Sequence, residues 1–150
     1  MSQQIFSRRP VSNSSIPNAI FILLIINGLA FAAQQLPQLK QFLYFNFALW
    51  PIGSDFPRFM PWQLLTYGFM HGDLIHIGFN MFMLWMFGRE LSLVYGSRNF
   101  LIYYFTCVTG AGIVQLFVAG LQGGFYPTVG ASGGVFGLLL LFGMTFPSRM

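Results

Sequence analysis

Residues 127–137 read P-T-V-G-A-S-G-G-V-F-G, and an apolar run from Val135 to Phe146 follows at once. At the centre is Ser132, held between Gly130 and Gly133. A serine at a helix start among glycines has two readings. It is a nucleophile, with an exposed hydroxyl and free backbone N–H groups nearby to bind an anion. Or it is an N-cap, the commoner role for a serine in that place. The length of the following helix bears on the choice. Ser132 to Phe146 is 15 residues, and Pro147 discourages continuation. Such a helix is about 22 Å long, against about 30 Å for the hydrocarbon core of a bilayer. With Pro147, Ser148 and Arg149 at one interface, Ser132 lies roughly 8 Å beneath the other. Irregular backbone at that depth is tolerated only against protein or a water-filled cavity. The Gly-rich segment from Gly120 to Ala131 is therefore expected to line a cavity, with a hydroxyl at its floor.

Composition supports the membrane setting. Of the 150 residues only 7% are charged, against about 25% in an ordinary soluble protein. Hydrophobic residues make up 55% and aromatics 19%. The net charge of +4 comes from scattered arginines and one lysine, with no basic tract. That composition excludes a nucleic-acid binder and reads as topology information instead. The one cysteine, Cys107, lies in an apolar run, so no intramolecular disulfide is possible and the redox compartment is not legible. No metal site is expected: His71 and His76 are the only histidines, without a cysteine or carboxylate cluster beside them.

The segment 1–18 is polar and carries Arg8 and Arg9. The apolar stretch that follows is either a signal peptide ending near Ala30-Phe31-Ala32 or a retained first transmembrane helix, about 19–33. Membrane-embedded sequence downstream favours retention. Gln34 to Met70 is dense in aromatics and broken by Pro51, Pro57 and Pro61. It reads as an interfacial anchor, or as a structured wall or lid beside a site. A second helix is expected at 74–93 with Asp73 as N-cap, a third at 100–121 with a small-residue patch at Gly110 and Gly112, and a fourth at 132–146. Paired glycines at Gly130–Gly134 and Gly133–Gly137 predict tight packing of the fourth. With a cytoplasmic N-terminus the inside segments carry Arg8, Arg9, Arg89, Arg98 and Arg149, and the outside ones only Lys40 and Arg58. The positive-inside rule selects that orientation and opens Ser132 toward the extracytoplasmic side.

His76 and Asn80 stand four residues apart on one helix face, within an otherwise apolar run. They form either a helix–helix hydrogen-bond clasp or part of a site. Both lie in the first two turns, at the depth deduced for Ser132, which favours a site. Acyl transfer needs a nucleophile, a base and oxyanion donors. Ser132 supplies the first; Asn80, His76 and the N–H groups at the helix start supply donors. Read from the residues alone, His76 is also the first choice of base.

Gly130-Ala131-Ser132-Gly133, the pair His76 and Asn80, and His71 five positions before His76 together resemble the rhomboid family of intramembrane serine proteases. Trp62-Gln63 resembles that family's Trp-Arg element, with Gln in place of Arg, and Glu90 followed by Gly96 fits the end of its second helix. The resemblance covers about residues 17–150, the first four helices of a six-helix core. It implies an all-α membrane protein, a polytopic helical bundle with four of six transmembrane helices at 19–150, and no cofactor. It implies Ser132 as nucleophile, and His76, Asn80 and the Ser132 N–H as the oxyanion hole. Phe136 matches an aromatic that packs on the catalytic histidine, His71 a structural histidine at the site's mouth, and Gly130 and Ala131 the turn before the nucleophile. The family's base is a histidine on the sixth helix, and none follows Ser132 here. The chain is thus expected to be a fragment, inactive alone, of an endopeptidase that cuts transmembrane substrates near the extracytoplasmic interface of a bacterial cell (inner) membrane. The rivals are a pseudoprotease that captures transmembrane helices without cutting, and a small transporter or channel. The latter is disfavoured because no intramembrane carboxylate pair is present.

Overall fold

A computed structural model describes residues 18–53 and 55–149; Arg8, Arg9 and the rest of the N-terminal polar segment up to residue 17 lie outside it. Six α-helices make up the fold: α1 (Asn18–Gln34), α2 (Pro37–Phe47), α3 (Gln63–Thr66), α4 (Leu74–Tyr95), α5 (Ser97–Gln122) and α6 (Ser132–Thr145). Short 3-10 turns follow α3 and α6. Among the described residues there is no strand, only an isolated bridge between Leu49 and Thr128.

The helices expected from apolar runs are all present, with ends moved by local chemistry. α1 runs one residue further at each end than 19–33. It packs into the body of the fold, with Ala19, Ile20 and Leu23 buried in the core. At α4 the expected cap is in place, Asp73 Oδ1 accepting from His76 N at 2.8 Å. α4 extends past 93 to Tyr95, and α5 starts at Ser97 rather than 100. Gly96 alone joins them at φ +79°, its N–H donating to Ser92 O and its O accepting from Phe100 N, each at 3.0 Å. A positive φ of that kind is open to glycine without a Cβ penalty. α5 continues through Gly120 to Gln122, so the irregular segment before α6 begins at Gly123 and not at Gly120. α6 ends at Thr145, one residue before Phe146.

The segment 34–70 holds a helix that hydropathy did not single out. α2 starts with Pro at its first turn, where the missing N–H is no loss. Its axis is bent 120° from α1. Behind α2, Ala48, Leu49 and Trp50 are buried. Gln63, wholly buried, ties the segment together. Its Oε1 accepts from Trp50 N at 3.2 Å and Met60 N at 3.1 Å. Its Nε2 faces the carbonyls of Arg58, Asn46 and Phe45 at 3.3, 3.4 and 3.5 Å. Trp62 Nε1 donates to Asn46 O at 2.8 Å. The segment is thus internally bonded, with Phe42, Phe56 and Trp62 exposed on its outer face.

α6 is wedged between α4 and α5 and packs on both. Its glycines do the work expected of them: a Cβ on Gly133 would sit 2.5 Å from Ala111 Cβ, and one on Gly137 would strike Cys107. A Cβ on Gly112 of α5 would stand 3.1 Å from Tyr67 and 3.3 Å from Leu64, whereas one on Gly110 meets nothing within 4 Å, so only half of that expected patch is a packing surface. Of the described helices, α5 alone is long and apolar enough to cross a membrane; α1 qualifies only together with the bent α2, and α6 is a shorter apolar helix.

Candidate active site

The site is built where the loop before α6 meets the start of α4. That loop is pinned twice by backbone pairs. Leu49 and Thr128 exchange N–H···O bonds at 2.9 Å, and Gly130 N donates to Tyr67 O at 2.9 Å. Tyr67 is itself buried and anchored to α5, its hydroxyl donating to Val108 O at 2.6 Å. Held in this way, Gly130 adopts φ +126°, a conformation that L side chains rarely take.

Ser132 is not the N-cap. Ala131, fully buried and in αR conformation, occupies that place and supplies no side-chain cap. Ser132 is the first helical residue, half-buried. Its hydroxyl bonds to nothing among the described residues, and its N–H is one of the orphans of the first turn.

His76 and Ser132 both lie beside Gly130. An ideal Cβ on Gly130 would stand 2.7 Å from both Cε1 and Nε2 of His76 and 3.7 Å from Ser132 Oγ. Only a residue without a Cβ leaves room for that imidazole. The other ring nitrogen of His76, Nδ1, accepts from Gly72 N at 3.4 Å. Asn80 is buried, 2% exposed, one turn along the same face. One of its two amide hydrogens is used on the His76 carbonyl at 3.0 Å, leaving the other free.

His71 is 1% exposed, and neither ring nitrogen has a hydrogen-bond partner among the described residues. Its ring stands edge-on to that of His76, centroids 5.1 Å apart at 68°. Burial, and then the nearby charge of His76 when protonated, push its pKa down to about 4, with the Phe69 backbone opposing. Its backbone is clamped by Gln34, the last residue of α1. Gln34 Nε2 donates to His71 O at 3.0 Å and His71 N donates to Gln34 Oε1 at 3.1 Å. Sequence reading passed over Gln34, because 37 residues separate the partners and no periodicity links them. Tyr67, whose carbonyl holds Gly130, was missed for the same reason. Gly133 lies on the α5 side of α6, a packing residue rather than a lining one. Phe136, one turn beyond Ser132, is 65% exposed, and its ring meets no other aromatic among the described residues.

The Rhomboid domain family matches residues 58–150. "Rhomboid protein 1, mitochondrial" of Saccharomyces cerevisiae is 31% identical over 132 residues, covering 87% of this chain and 37% of that protein. "Rhomboid protease GluP" of Bacillus subtilis is 37% identical over 79 residues, 52% of this chain and 14% of that one. "Rhomboid-like protein 11, chloroplastic" of Arabidopsis thaliana is 29% identical over 128 residues, 83% and 41%. The chain thus spans less than half the length of each of these relatives. Members of this family are integral membrane proteins, and the relatives come from bacteria, mitochondria and chloroplasts alike. The match over 58–150 covers more than half of the chain and agrees with the helical architecture, and the chain belongs to the rhomboid family.

Proposed function

We propose that the chain carries the nucleophile and oxyanion site of an intramembrane serine endopeptidase that cleaves transmembrane protein substrates near the extracytoplasmic interface. The observation that carries this reading is that His76 Nε2 and Ser132 Oγ both lie beside Gly130. In the reaction Ser132 Oγ attacks the scissile carbonyl carbon. Its proton leaves to a general base, negative charge grows on the carbonyl oxygen, and the base then protonates the departing amine. Gly72 N donates to His76 Nδ1 at 3.4 Å, which favours the tautomer with the proton on Nε2. In that tautomer Nε2, the atom beside Gly130, carries a hydrogen rather than a lone pair that could accept the serine proton. This supports reading His76 as an oxyanion donor rather than as the base. The free Asn80 hydrogen and the Ser132 backbone N–H complete the set. His71 acts from behind as a structural residue, and Gly130 and Ala131 form the turn that presents the nucleophile. On the resemblance, the base is a histidine other than these two, carried on a sixth helix.

In this reading residues 19–150 form a transmembrane domain that crosses the bilayer four times, through α1, α4, α5 and α6. The 14 residues of α6 reach about 21 Å, which leaves Ser132 below the surface of an about 30 Å core. The arginine balance supports a cytoplasmic N-terminus, and the membrane is a bacterial cell (inner) membrane. The test is labelling with a fluorophosphonate and cleavage of a transmembrane reporter, in the protein's own membrane. We expect the parent to label and cleave and Ser132→Ala to do neither. Equal labelling of Ser132→Ala refutes the mechanism. A parent that retains transmembrane helices but neither labels nor cleaves is the helix-capturing pseudoprotease instead.

A further inference from the structure

From this geometry we infer that Gln34 is a positioning residue for the oxyanion site: it orients the His71–Gly72 peptide whose N–H holds His76 in its donor tautomer. The inference rests on the reading of His76 as an oxyanion donor. The argument runs through one peptide plane. The carbonyl of His71 and the N–H of Gly72 belong to the same planar unit, and in a trans peptide they point in opposite directions. Gln34 Nε2 donates to that carbonyl at 3.0 Å. Gly72 N, on the far side of the plane, donates to His76 Nδ1 at 3.4 Å. Fixing the oxygen therefore aims the N–H. The second bond, His71 N to Gln34 Oε1 at 3.1 Å, stops the plane from turning about the first.

Three further features favour this role over simple loop fastening. Gln34 is 5% exposed and spends both ends of its amide on one residue, at the C-terminal end of α1. Gly72 offers no side chain to hold its own backbone, and its exposure leaves water free to compete for the N–H. A cavity of about 530 Å³ opens beside Gln34, His71 and Gly72, so close packing does not lock the peptide from that side. His71 adds the ring that stands edge-on to His76, but it has no hydrogen bond to give; the tautomer is set by the backbone.

The decisive readout is the His76 tautomer, which a merely structural role would leave alone. The protein, 15N-labelled at histidine and held in lipid nanodiscs near neutral pH, reports it by NMR, with His71→Gln used for assignment. In the parent we expect one His76 form, protonated on Nε2. Gln34→Met keeps the length and apolar stem but removes both bonds; Gln34→Glu keeps the shape and the acceptor but, when ionised, removes the donor to His71 O. Both are expected to lower the ratio of Nε2–H to Nδ1–H forms about fivefold, the worth of about one hydrogen bond, with helical circular dichroism unchanged. An unaltered tautomer ratio in either folded variant, with the His71 amide signal displaced, overturns the inference. Fluorophosphonate labelling of the whole protein, with its general base present, separates the two claims. A whole protein that does not label sinks the protease reading, while the ring signals still decide the role of Gln34.

Discussion

Adding one methyl group at Gly130 is the sharpest perturbation of the site that leaves every polar atom in place. In Gly130→Ala the new Cβ would stand 2.7 Å from His76 Cε1 and Nε2. Comfortable carbon contacts are about 3.5–4.0 Å, so the ring or the loop must move by about 1 Å. The loop has little room to yield, because Gly130 N is bonded to Tyr67 O and Thr128 to Leu49 on the opposite side. Overpacking of this kind costs about 1–3 kcal/mol. The backbone adds a second cost, since alanine is poorly suited to φ +126°, about 1–3 kcal/mol for a sparsely populated conformation. Relief comes most cheaply from displacing His76, which withdraws Nε2–H from the oxyanion position. A misplacement of about 1 Å costs on the order of a hundredfold in rate.

The assay is the second-order rate of fluorophosphonate labelling at Ser132, normalised to folded protein. Gly130→Ala should fall about a hundredfold, equivalent to about 3 kcal/mol of transition-state stabilisation. Gly28→Ala and Gly110→Ala are the controls: a Cβ at either meets nothing within 4 Å, and alanine is the better helix former. Both should label at the parent rate. A second comparison separates geometry from stability. Gly137→Ala pushes against Cys107 at the α5–α6 contact, away from the imidazole. It should lower the melting temperature yet leave the folded fraction labelling normally. If folded Gly130→Ala labels within about threefold of the parent, the arrangement at Gly130 does not govern the chemistry and the reasoning fails.

Two further outcomes follow from the segment 34–70. Gln63→Arg, which would recreate the Trp-Arg pair of the family resemblance, should destabilise the chain. Arginine has no acceptor for the Trp50 and Met60 N–H groups that now bond Oε1, each costing about 1–3 kcal/mol if left unsatisfied; thermal unfolding that matches or exceeds the parent's would contradict this. The second concerns pH. His71 is held neutral, its pKa pushed down to about 4 from an ordinary 6.5, so between those values the unfolded state binds more protons than the folded one. Stability is then complete above about pH 6.5 and is lost as pH falls toward 4, by about 3 kcal/mol in all. A melting temperature that stays flat from pH 7 to pH 4 would count against it, and His71→Phe should remove the dependence.

What was legible in the sequence was what neighbours in the chain decide. Asp73 three residues before His76 marked the start of α4, and it caps there. Closely spaced glycines announced that α6 would press against another helix, and Gly133, Gly134 and Gly137 do so against α5. The one-face spacing of His76 and Asn80 held because α4 is an unbroken helix. The reading of Ser132 as a possible N-cap failed by one position, since Ala131 enters αR conformation and takes the boundary. α2 had a local signal, Pro37 at a helix start, but the aromatic density of 34–70 obscured it. The partners of Gln34, Tyr67 and Gln63 had no local signal at all. A glutamine looks the same in sequence whether it faces water or spends its amide on buried backbone.

In the proposed mechanism those three residues nevertheless set where the chemistry sits. The helices bring α4 beside α6, but helix packing alone sets side-chain positions only as finely as a glycine-rich loop allows. The remaining precision comes from 34–70: Leu49 holds Thr128, Tyr67 holds Gly130, and Gln34 holds the peptide beside His76. Gln63 in turn anchors the stretch around Trp50 and Met60. A substitution there touches neither nucleophile nor oxyanion donor, yet it loosens the contacts that fix both. Activity should therefore be lost at lower denaturant than helical signal in variants of 34–70. In variants of the α5–α6 contact, where the bundle itself gives way, the two should be lost together.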